Sequence, residues 1–481
     1  MAGRDTTTGA YDPTAGERRT IRKQAPVRIA LGYPAPYPVA SSSLGFQTVY
    51  RAWNELAGVA CARFFPPVAG PAERPLRTVE DRLPVAEASG IGISIACETE
   101  LSQVARLLSA AGLEPLAAKR DPSEPPVIIG GPLTGLDPRL VAPFADAVAV
   151  GEAEVALPGI AEALGRSRSK AELLEALPGP CSGVWVPSAG LNPPPPARAP
   201  LEILPAAAAT WSPGAELRNL FLVESSRGCR HGCTFCVLSA RAECSGKFRP
   251  VPPERVLAAI PDDAPGVGLV GAAVTDHPQI EGLVAAIVRS GKRVSLSSIR
   301  AERLTPGLAA HLREGGLRAL TLAADGASEA LRKSLRKGVS TDDLHRAARI
   351  AADAGIRGLK LYAMVGLPDE TDADIEELAR LVADFDKRLR VSIAAQAFVP
   401  KPGTPLGHLK MAGIDLVRHR LELLRRSLKG RARVIPTSPR WSWVDWKLAH
   451  SGERAALVAI EAAKHDGKFA AWKKAINEAG I

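Results

Sequence analysis

Short apolar runs alternate with helix-period stretches over residues 26–165 of this 481-residue chain. Five runs end in turn residues: Arg28–Pro34, Val59–Pro66, Gly92–Cys97, Pro126–Gly131 and Ala145–Gly151. Helical patterns cover Gly45–Gly58, Glu100–Gly112 and Glu152–Leu164. Continuous apolar runs are typical of strands buried on both faces, and their alternation with helices predicts a parallel sheet. We therefore predict a doubly wound, Rossmann-like α/β domain that binds ligands at the carboxyl ends of its strands.

A second series of runs has the same strand–helix spacing and covers residues 219–405. Its six strand candidates are Leu220–Glu224, Gly266–Val274, Val294–Ile299, Ala319–Asp325, Gly358–Gly366 and Val391–Val399. Ser340 with Asp343 forms one capping box at a helix start, and Thr371 with Asp374 forms another. The pattern predicts a second parallel α/β domain whose strand ends surround a common mouth.

Three further segments differ in composition from these two domains. Residues 1–25 are polar and are predicted to be a disordered N-terminus. Residues 166–218, with Pro193–Pro196 in an unbroken row, predict a stiff Pro-rich linker. Residues 406–481 predict a basic helical C-terminal segment, in which Ile414–Leu428 and Ala455–Ile476 are the clearer helices.

Composition narrows the class of protein. The chain is 46% apolar, as expected of a soluble globular protein, and it has no run near the roughly 18 apolar residues of a membrane span. Residues 1–25 lack the apolar core of a secretory signal. Seven cysteines, an odd number with three in one loop, argue against a disulfide framework. We expect a cytoplasmic protein without a membrane span.

The net charge of +10 is concentrated near the C-terminal end. Residues 401–481 contain 16 Lys and Arg against 7 Asp and Glu, and they hold four of the seven tryptophans: Trp441, Trp443, Trp446 and Trp472. Basic residues among aromatics are able to bind nucleic acid through phosphate contacts and stacking. The alternative, which we favour, is a solvated basic helical surface with its tryptophans packed inward.

Three cysteines in one loop carry the strongest chemical signal. Cys229, Cys233 and Cys236 follow the spacing C-x3-C-x2-C directly after the first strand of the second series. Three thiolates so close suit three corners of a cubane iron–sulfur cluster and leave the fourth iron open. A zinc site is the alternative, and it would need His231 or Cys244 as a further ligand.

This cysteine motif, with Phe235 before its last cysteine, resembles that of the radical S-adenosylmethionine (radical SAM) enzymes. The resemblance implies a partial (β/α)6 barrel, a [4Fe-4S] cluster held by the three cysteines, and bound SAM. In this family SAM is cleaved reductively to methionine and a 5′-deoxyadenosyl radical. The segment Gly366-Leu-Pro-Asp-Glu-Thr371 also resembles the family's turn after the fifth strand.

The resemblance further implies a set of SAM-binding residues at the strand ends. The candidates are Phe235, Gly271, Ala272, Ser298, Arg300, Asp325, Lys337 and Gly366. Gly271 and Ala272 would approach the SAM amino group. Ser298 and Arg300 would bind ribose or carboxylate, and Asp325 would contact the ribose. Lys337 is the first candidate for pairing with the SAM carboxylate, and Arg332 is the second. Phe235 and Gly366 would pack against adenine.

Outside the barrel, three pieces resemble a radical SAM subgroup with a cobalamin-domain-like N-terminal fold: Ser43–Tyr50, Gly130–Pro132 and Gly151–Glu154. Its relatives include cobalamin-dependent methyltransferases and methylthiotransferases, so cobalamin is an open third cofactor. The chain has no histidine before His231 to ligate cobalt. A second cluster would need Cys61, Cys97 and Cys181, for which structural thiols are the favoured interpretation.

The sequence therefore predicts an enzyme that forms a 5′-deoxyadenosyl radical and abstracts hydrogen from an unidentified substrate, with electrons from a reductase such as flavodoxin or ferredoxin. The second hypothesis is cobalamin-dependent methyl transfer. The third, from another class, is a non-catalytic nucleic-acid-binding protein with a structural metal site. His277 and Tyr362 remain minor candidates at the barrel mouth.

Overall fold

The computed structural model describes residues 12, 14–66, 75–177, 183–240 and 248–481. The chain forms two compact units. The first unit comprises Met1–Phe221 with Lys447–Ile481, and the second comprises Leu222–Trp446. Cys181 and Cys244 lie outside the described residues, so the expectations that they are plain thiols stay predictions.

The strands follow in chain order. They are β1 Val27–Gly32, β2 Val59–Phe64, β3 Gly90–Ser94, β4 Val127–Gly130, β5 Ala147–Ala149, β6 Val184–Trp185, β7 Phe221–Glu224, β8 Ser226–Arg227, β9 Arg249–Pro250, β10 Gly266–Val270, β11 Arg293–Leu296, β12 Ala319–Asp325, β13 Gly358–Val365, β14 Arg390–Ala397 and β15 Ala432–Pro436.

The α-helices connect these strands and follow the last of them. They are α1 Tyr37–Ala40, α2 Leu44–Glu55, α3 Leu101–Ala110, α4 Pro132–Leu136, α5 Ala153–Arg166, α6 Lys170–Ala176, α7 Val237–Ala240, α8 Pro253–Ala258, α9 Ile280–Arg289, α10 Pro306–Glu314, α11 Glu329–Ser334, α12 Thr341–Asp353, α13 Asp372–Asp384, α14 Ile414–Ser427, α15 Pro439–Ala449, α16 Arg454–Ala463 and α17 Phe469–Glu478.

The first unit is built on one six-stranded sheet in the order β2-β1-β3-β4-β5-β6. The strands β1 to β5 pair in parallel, and β6 adds an antiparallel edge to β5. All five strands predicted for this region are present, so the doubly wound α/β prediction is confirmed. The chain order reverses between β1 and β3, which is where ligands enter doubly wound sheets.

A buried ion pair network ties the start of the chain to this sheet. The Arg63 side chain, 1% exposed on β2, donates to Glu17 Oε1 and Glu80 Oε1, each at 2.5 Å. Its guanidinium lies 4.5 Å from the ring centroid of Tyr50. Burial would raise the pKa of Glu17, but Arg63 outweighs it and lowers that pKa. Glu17, in the start of the chain that the sequence assigned to disorder, is thus held by a buried guanidinium that needs carboxylate partners.

The region predicted as a linker also packs on the first unit. The buried Gln47 side chain of α2 accepts hydrogen bonds from the Ala209 and Thr210 amides at 3.1 and 2.9 Å. Its amide group donates to the carbonyls of Ser41 and Thr210. These bonds satisfy the polar groups of residues 209–210 that the compact arrangement removes from water.

Two C-terminal helices belong to the first unit as well. Helix α16 packs on α3, and Trp472 of α17 is 1% exposed. At this position the tryptophan is packed inward, whereas Trp441 is 39% exposed. Within the described part of the chain, no helix has the length and apolar character needed to cross a membrane.

The second unit is an incomplete barrel made of two sheets. One has the order β11-β10-β7, and the other has the order β12-β13-β14-β15. Among the described residues of this unit, an isolated parallel bridge between Ile299 and Leu322 joins them, with the Ile299 amide donating to the Thr321 carbonyl at 2.8 Å. The six predicted strands are all present. A seventh, β15, follows them, and its basic, half-exposed edge sequence gave no strand signal.

Strand alternation divides this barrel into two faces. On β12, β13 and β14 buried residues that pack against helices alternate with partly exposed residues on the inner face. The parallel register aligns these inner positions across neighbouring strands. Every second side chain therefore points into a lumen bounded by the strands.

Candidate active site

The cysteine loop is held by backbone hydrogen bonds before it and within it. The short strand β8 before it pairs antiparallel with β9, and Gly228 turns the chain with φ +78°. Inside the loop the Thr234 amide donates to the Leu335 carbonyl at 3.0 Å, and the Leu406 amide donates to the Thr234 carbonyl at 3.3 Å. The loop that carries the three cysteines is therefore fixed by segments after β12 and β14.

The cysteine thiols lie in a partly buried, electropositive setting. Burial raises the pKa of Cys233, and the cations Lys337 and Arg300 act in the opposite direction. Burial likewise raises the pKa of Cys229. The metal-binding form of a cysteine is the thiolate, so the two cations offset part of the cost that burial imposes on Cys233, although its pKa stays raised.

A cavity of about 370 Å³ opens beside the three cysteines. Its walls are formed by Cys229, Cys233, Phe235, Cys236, Leu238, Ala272, Ala273, Ser298, Ile299, Arg300, Ala323, Asp325, Lys337, Tyr362, Ala363, Met364, Ala394 and Gln396. Nine of the eleven site residues expected from the sequence line this one cavity, and the exceptions are Gly271 and Gly366. The structure thus brings together side chains from five strand ends and the cysteine loop.

Asp325 and Lys337, expected to bind different parts of SAM, contact each other. Lys337 Nζ lies 2.5 Å from Asp325 Oδ2, with side-chain exposures of 9% and 17%. Asp325 ends β12 with a left-handed φ of +61° after a register shift, which turns its carboxylate away from the regular pleat. Arg300 Nη2 donates to the Lys337 carbonyl at 2.6 Å and also pairs with Glu302. These residues form one charged wall of the cavity.

Two predicted glycines lie outside the cavity lining. Gly271 packs against the Ser226 carbonyl, which a Cβ would approach to 2.8 Å. Gly366 has φ +85° and faces Val417 of α14, where a Cβ would lie at 3.0 Å. Its amide donates to Glu370 Oε2 at 2.6 Å. Gly366 follows the end of β13, so it turns toward the outer helix instead of the lumen.

Arg332 and His277 have structural partners. The Arg332 side chain, 1% exposed, donates to the carbonyls of Val339, Gly326 and Ala327. It therefore shapes the segment that carries Lys337, and it does not line the cavity. His277 is 3% exposed, and its Nε2 lies 2.8 Å from the Val251 carbonyl.

Asp276, an acidic residue that the sequence did not single out, binds two side chains of the cysteine loop. Asp276 Oδ2 lies 2.5 Å from His231 Nε2 and 3.3 Å from Arg230 Nε. Arg303 Nε lies 3.2 Å from the other carboxylate oxygen. Burial would raise the pKa of Asp276, but these partners lower it. His231 is thus engaged by a buried carboxylate, at the position where the zinc alternative needs a ligand.

Comparisons with known proteins agree with this geometry. The family model described as Radical SAM proteins, N-terminal, matches residues 45–187, and the model of the Radical SAM superfamily matches residues 223–382. Together the two matches cover more than half of the chain. The chain belongs to the radical SAM superfamily.

Individual relatives of this radical SAM protein are distant or partial. An uncharacterised protein of Methanocaldococcus jannaschii is 35% identical over 188 residues, which is 38% of this chain and 41% of that protein's length. The methyltransferase TsrM from Kitasatospora setae, solved with cobalamin and a [4Fe-4S] cluster, has a TM-score of 0.59 at 13% identity. That likeness covers 95% of this chain and 99% of TsrM.

A second solved structure has a similar fold. OxsB, a cobalamin-dependent SAM radical enzyme solved with aqua-cobalamin and SAM, has a TM-score of 0.53 at 13% identity. The likeness covers 84% of this chain and 56% of OxsB. At these identities the comparisons show a shared fold. They confirm the N-terminal α/β domain followed by a radical SAM fold.

The residues of this radical SAM protein fit the cofactors that its superfamily uses, a [4Fe-4S] cluster and SAM. Cys229, Cys233 and Cys236 face one cavity, beside a charged wall and the ring of Phe235. Among the described residues no group of three or more His, Cys, Asp or Glu side chains is arranged around a single metal ion. A cubane distributes its thiolates over different irons, so the same cysteines suit the cluster.

The N-terminal glycines show no comparable fit to cobalamin. Gly131 has φ +113°, and a Cβ there would collide with the Ile95 carbonyl. Gly151 has φ +104°, and a Cβ there would collide with the backbone of Ala197. Both close approaches are made by the chain itself. The glycine-rich strand ends are thus explained without a ligand.

Proposed function

We propose that this chain is a radical SAM enzyme that cleaves SAM reductively at a [4Fe-4S] cluster and abstracts hydrogen from a substrate held in the barrel. The arrangement of Cys229, Cys233 and Cys236 on one cavity with Lys337, Arg300 and Asp325 supports it best. When bound, the cluster and SAM supply a 5′-deoxyadenosyl radical. A low-potential electron from a reductase such as flavodoxin or ferredoxin is required for each cleavage.

The side chains around the cavity divide this work. The three cysteines hold the cluster, and Phe235 and Leu238 give an apolar wall that excludes water beside it. Lys337 offers an ammonium to the SAM carboxylate, and Ser298 offers a hydroxyl to SAM. Asp325 keeps Lys337 oriented through their 2.5 Å contact and offers its second oxygen to a ribose hydroxyl.

The test is anaerobic purification with iron and sulfide analysis, followed by reduction in the presence of SAM. Four irons per chain and formation of 5′-deoxyadenosine are expected, as a [4Fe-4S] enzyme requires. Zinc without iron, or no 5′-deoxyadenosine where a known radical SAM enzyme forms it under the same conditions, would overturn the proposal. The substrate need not be known, because cleavage of SAM is measured directly.

The second candidate function is cobalamin-dependent methyl transfer. The likeness of fold to TsrM and OxsB over most of the chain supports it, because both were solved with cobalamin. A cobalamin that binds here would do so without a histidine ligand from residues 1–230. Growth with cobalamin followed by cobalt analysis tests this function. About one cobalt per chain supports it, and four irons without cobalt contradicts it.

A further inference from the structure

The inner face of the four-stranded sheet β12-β13-β14-β15 carries an unusual distribution of charge. One row of inner positions, nearer the starts of the four strands and called the lower row here, consists of Thr321, Lys360, Ser392 and Arg433, which are in register. The row above contains Ala323, Tyr362, Ala394 and Ile435. The inner positions of these strands include one acidic residue, Asp325, and it is paired with Lys337. The lower row thus presents two cations without a carboxylate beside them.

Lys360 in this lower row contacts Tyr362 of the row above. Its Nζ lies 4.9 Å from the ring centroid of Tyr362 and 3.5 Å from the Tyr362 hydroxyl. Tyr362 itself lines the cavity beside the cluster cysteines. Lys360 is partly buried, and within the described residues it has no ion pair. Its contact with the Tyr362 ring compensates only a small part of the cost of burying its charge.

Arg433 extends the positive charge toward the open edge of the barrel. It lies on β15 in register with Ser392, which is in turn in register with Lys360. Its side chain is exposed, and the described part of the chain offers it no ion pair. By contrast Lys401, in the same unit, pairs with Asp445 at 2.9 Å.

We propose that the lumen binds an anionic substrate, with its carboxylate or phosphate group on Lys360 and Arg433 and its apolar body against Tyr362, Met364 and Ala394. The inference rests on the proposed function, and it adds the chemical class of the substrate. Two cations without carboxylate partners recognise either acid through charge-assisted hydrogen bonds. The apolar row above them places the body of the substrate between the acid and the cluster side of the cavity.

The test uses acetylation of lysine amines in the reconstituted holoenzyme, measured by peptide mass spectrometry. The probes are 3-phenylpropionate, phenyl phosphate and the uncharged 3-phenylpropionamide. The two anions are expected to slow acetylation of Lys360, whereas the amide leaves it unchanged. Lys333 on α11, whose side chain is 76% exposed, serves as the reference amine in the same sample. Stronger protection by phenylpropionate assigns a carboxylate substrate, and stronger protection by phenyl phosphate assigns a phosphate ester.

A variant pair sharpens the outcome. Arg433→Gln is expected to raise the anion concentration needed for protection about tenfold, because one charge-assisted contact is lost. Lys333→Gln is expected to leave protection of Lys360 unchanged. Protection by the amide equal to that by the anions, or by no probe at all, overturns the proposal. Formation of 5′-deoxyadenosine is measured separately, so its failure in the wild type counts against the proposed function and not against the anion site.

Discussion

The two units of this protein use glycine at their strand ends in different ways. In the first unit Gly131 and Gly151 admit the chain's own backbone, from Ile95 and Ala197. In the second unit the strand ends carry cysteines, charges and an aromatic ring around a cavity of about 370 Å³. A glycine at a strand end therefore marks a close approach without saying what approaches. The side chains beside it distinguish a filled edge from a binding site.

The largest expected effect separates the cysteines of the two units. Cys233→Ala removes a cluster ligand and is expected to abolish bound iron and to lower 5′-deoxyadenosine formation to the level without protein. Cys61→Ala, in the buried strand β2, is the matched control and should retain both. Iron analysis and product chromatography check the pair. Full iron content in Cys233→Ala would contradict the assignment of the cluster.

The next effect tests whether the first sheet's glycines are structural. Gly131→Ala places a Cβ against the Ile95 carbonyl at a φ that favours glycine, and should lower the free energy of unfolding by about 4 kcal/mol. Gly135→Ala, in the neighbouring helix α4 with open space around it, should change it little or raise it slightly. Urea unfolding measures both. Unchanged stability in Gly131→Ala would show that the backbone around Ile95 can shift to accommodate a Cβ, and that Gly131 is not required there.

The third effect concerns Gly366, a glycine after barrel strand β13 that, like Gly131 and Gly151, packs against other parts of the chain. Gly366 is capped by the buried carboxylate of Glu370, and burial raises the pKa of Glu370 to about 7. A raised pKa means that the folded state holds the proton more tightly than the unfolded state. The stabilisation that protonated Glu370 adds to the free energy of unfolding is fully present below about pH 4.5 and is lost as the pH rises through about 7.

The loss is expected to be on the order of 3 kcal/mol in the free energy of unfolding across that pH range. In Glu370→Gln, whose amide oxygen still accepts from Gly366, the slope of stability against pH should be flatter over the same range. Urea titrations at several pH values measure it. Equal slopes in the variant and the wild type would remove Glu370 as the cause.

The smallest effect concerns the charged wall of the cavity. Lys337→Met removes the ammonium that pairs with Asp325 and should weaken SAM binding about tenfold, while iron content is unchanged. Lys333→Met, four residues earlier and largely exposed, should bind SAM as the wild type does. Equilibrium dialysis with SAM checks both. Wild-type affinity in Lys337→Met would limit Lys337 to a structural pairing with Asp325.

Much of the fold could be predicted from the sequence because short apolar runs report buried parallel strands directly. Long-range contacts could not be predicted in this way. The exposed, basic strand β15 has no such run, and Gln47 finds its partners about 160 residues away. Nothing in the local pattern around Arg63 indicated that its carboxylate partner Glu17 comes from the polar start of the chain.

The site was predicted in the same uneven way. Cysteine spacing predicted the proposed cluster ligands, since a metal cluster imposes a local pattern on the chain. Gly366 and Arg332 lay beside residues that line the cavity, but a single sequence does not state which way a turn faces. Tyr362, a minor candidate from the sequence, does line the cavity, whereas Gln396 was found only once the register of β13 and β14 was known.

The bridge between Ile299 and Leu322 lies where the two sheets of the second unit meet. The cysteine loop follows one sheet, whereas Asp325 belongs to the other, so the cavity lies across that junction. The Arg300 side chain crosses the same junction and donates to the Lys337 carbonyl at 2.6 Å. A ligand in this cavity would therefore contact both sheets at once, and its binding would add to the bonds that hold the two halves of the barrel together.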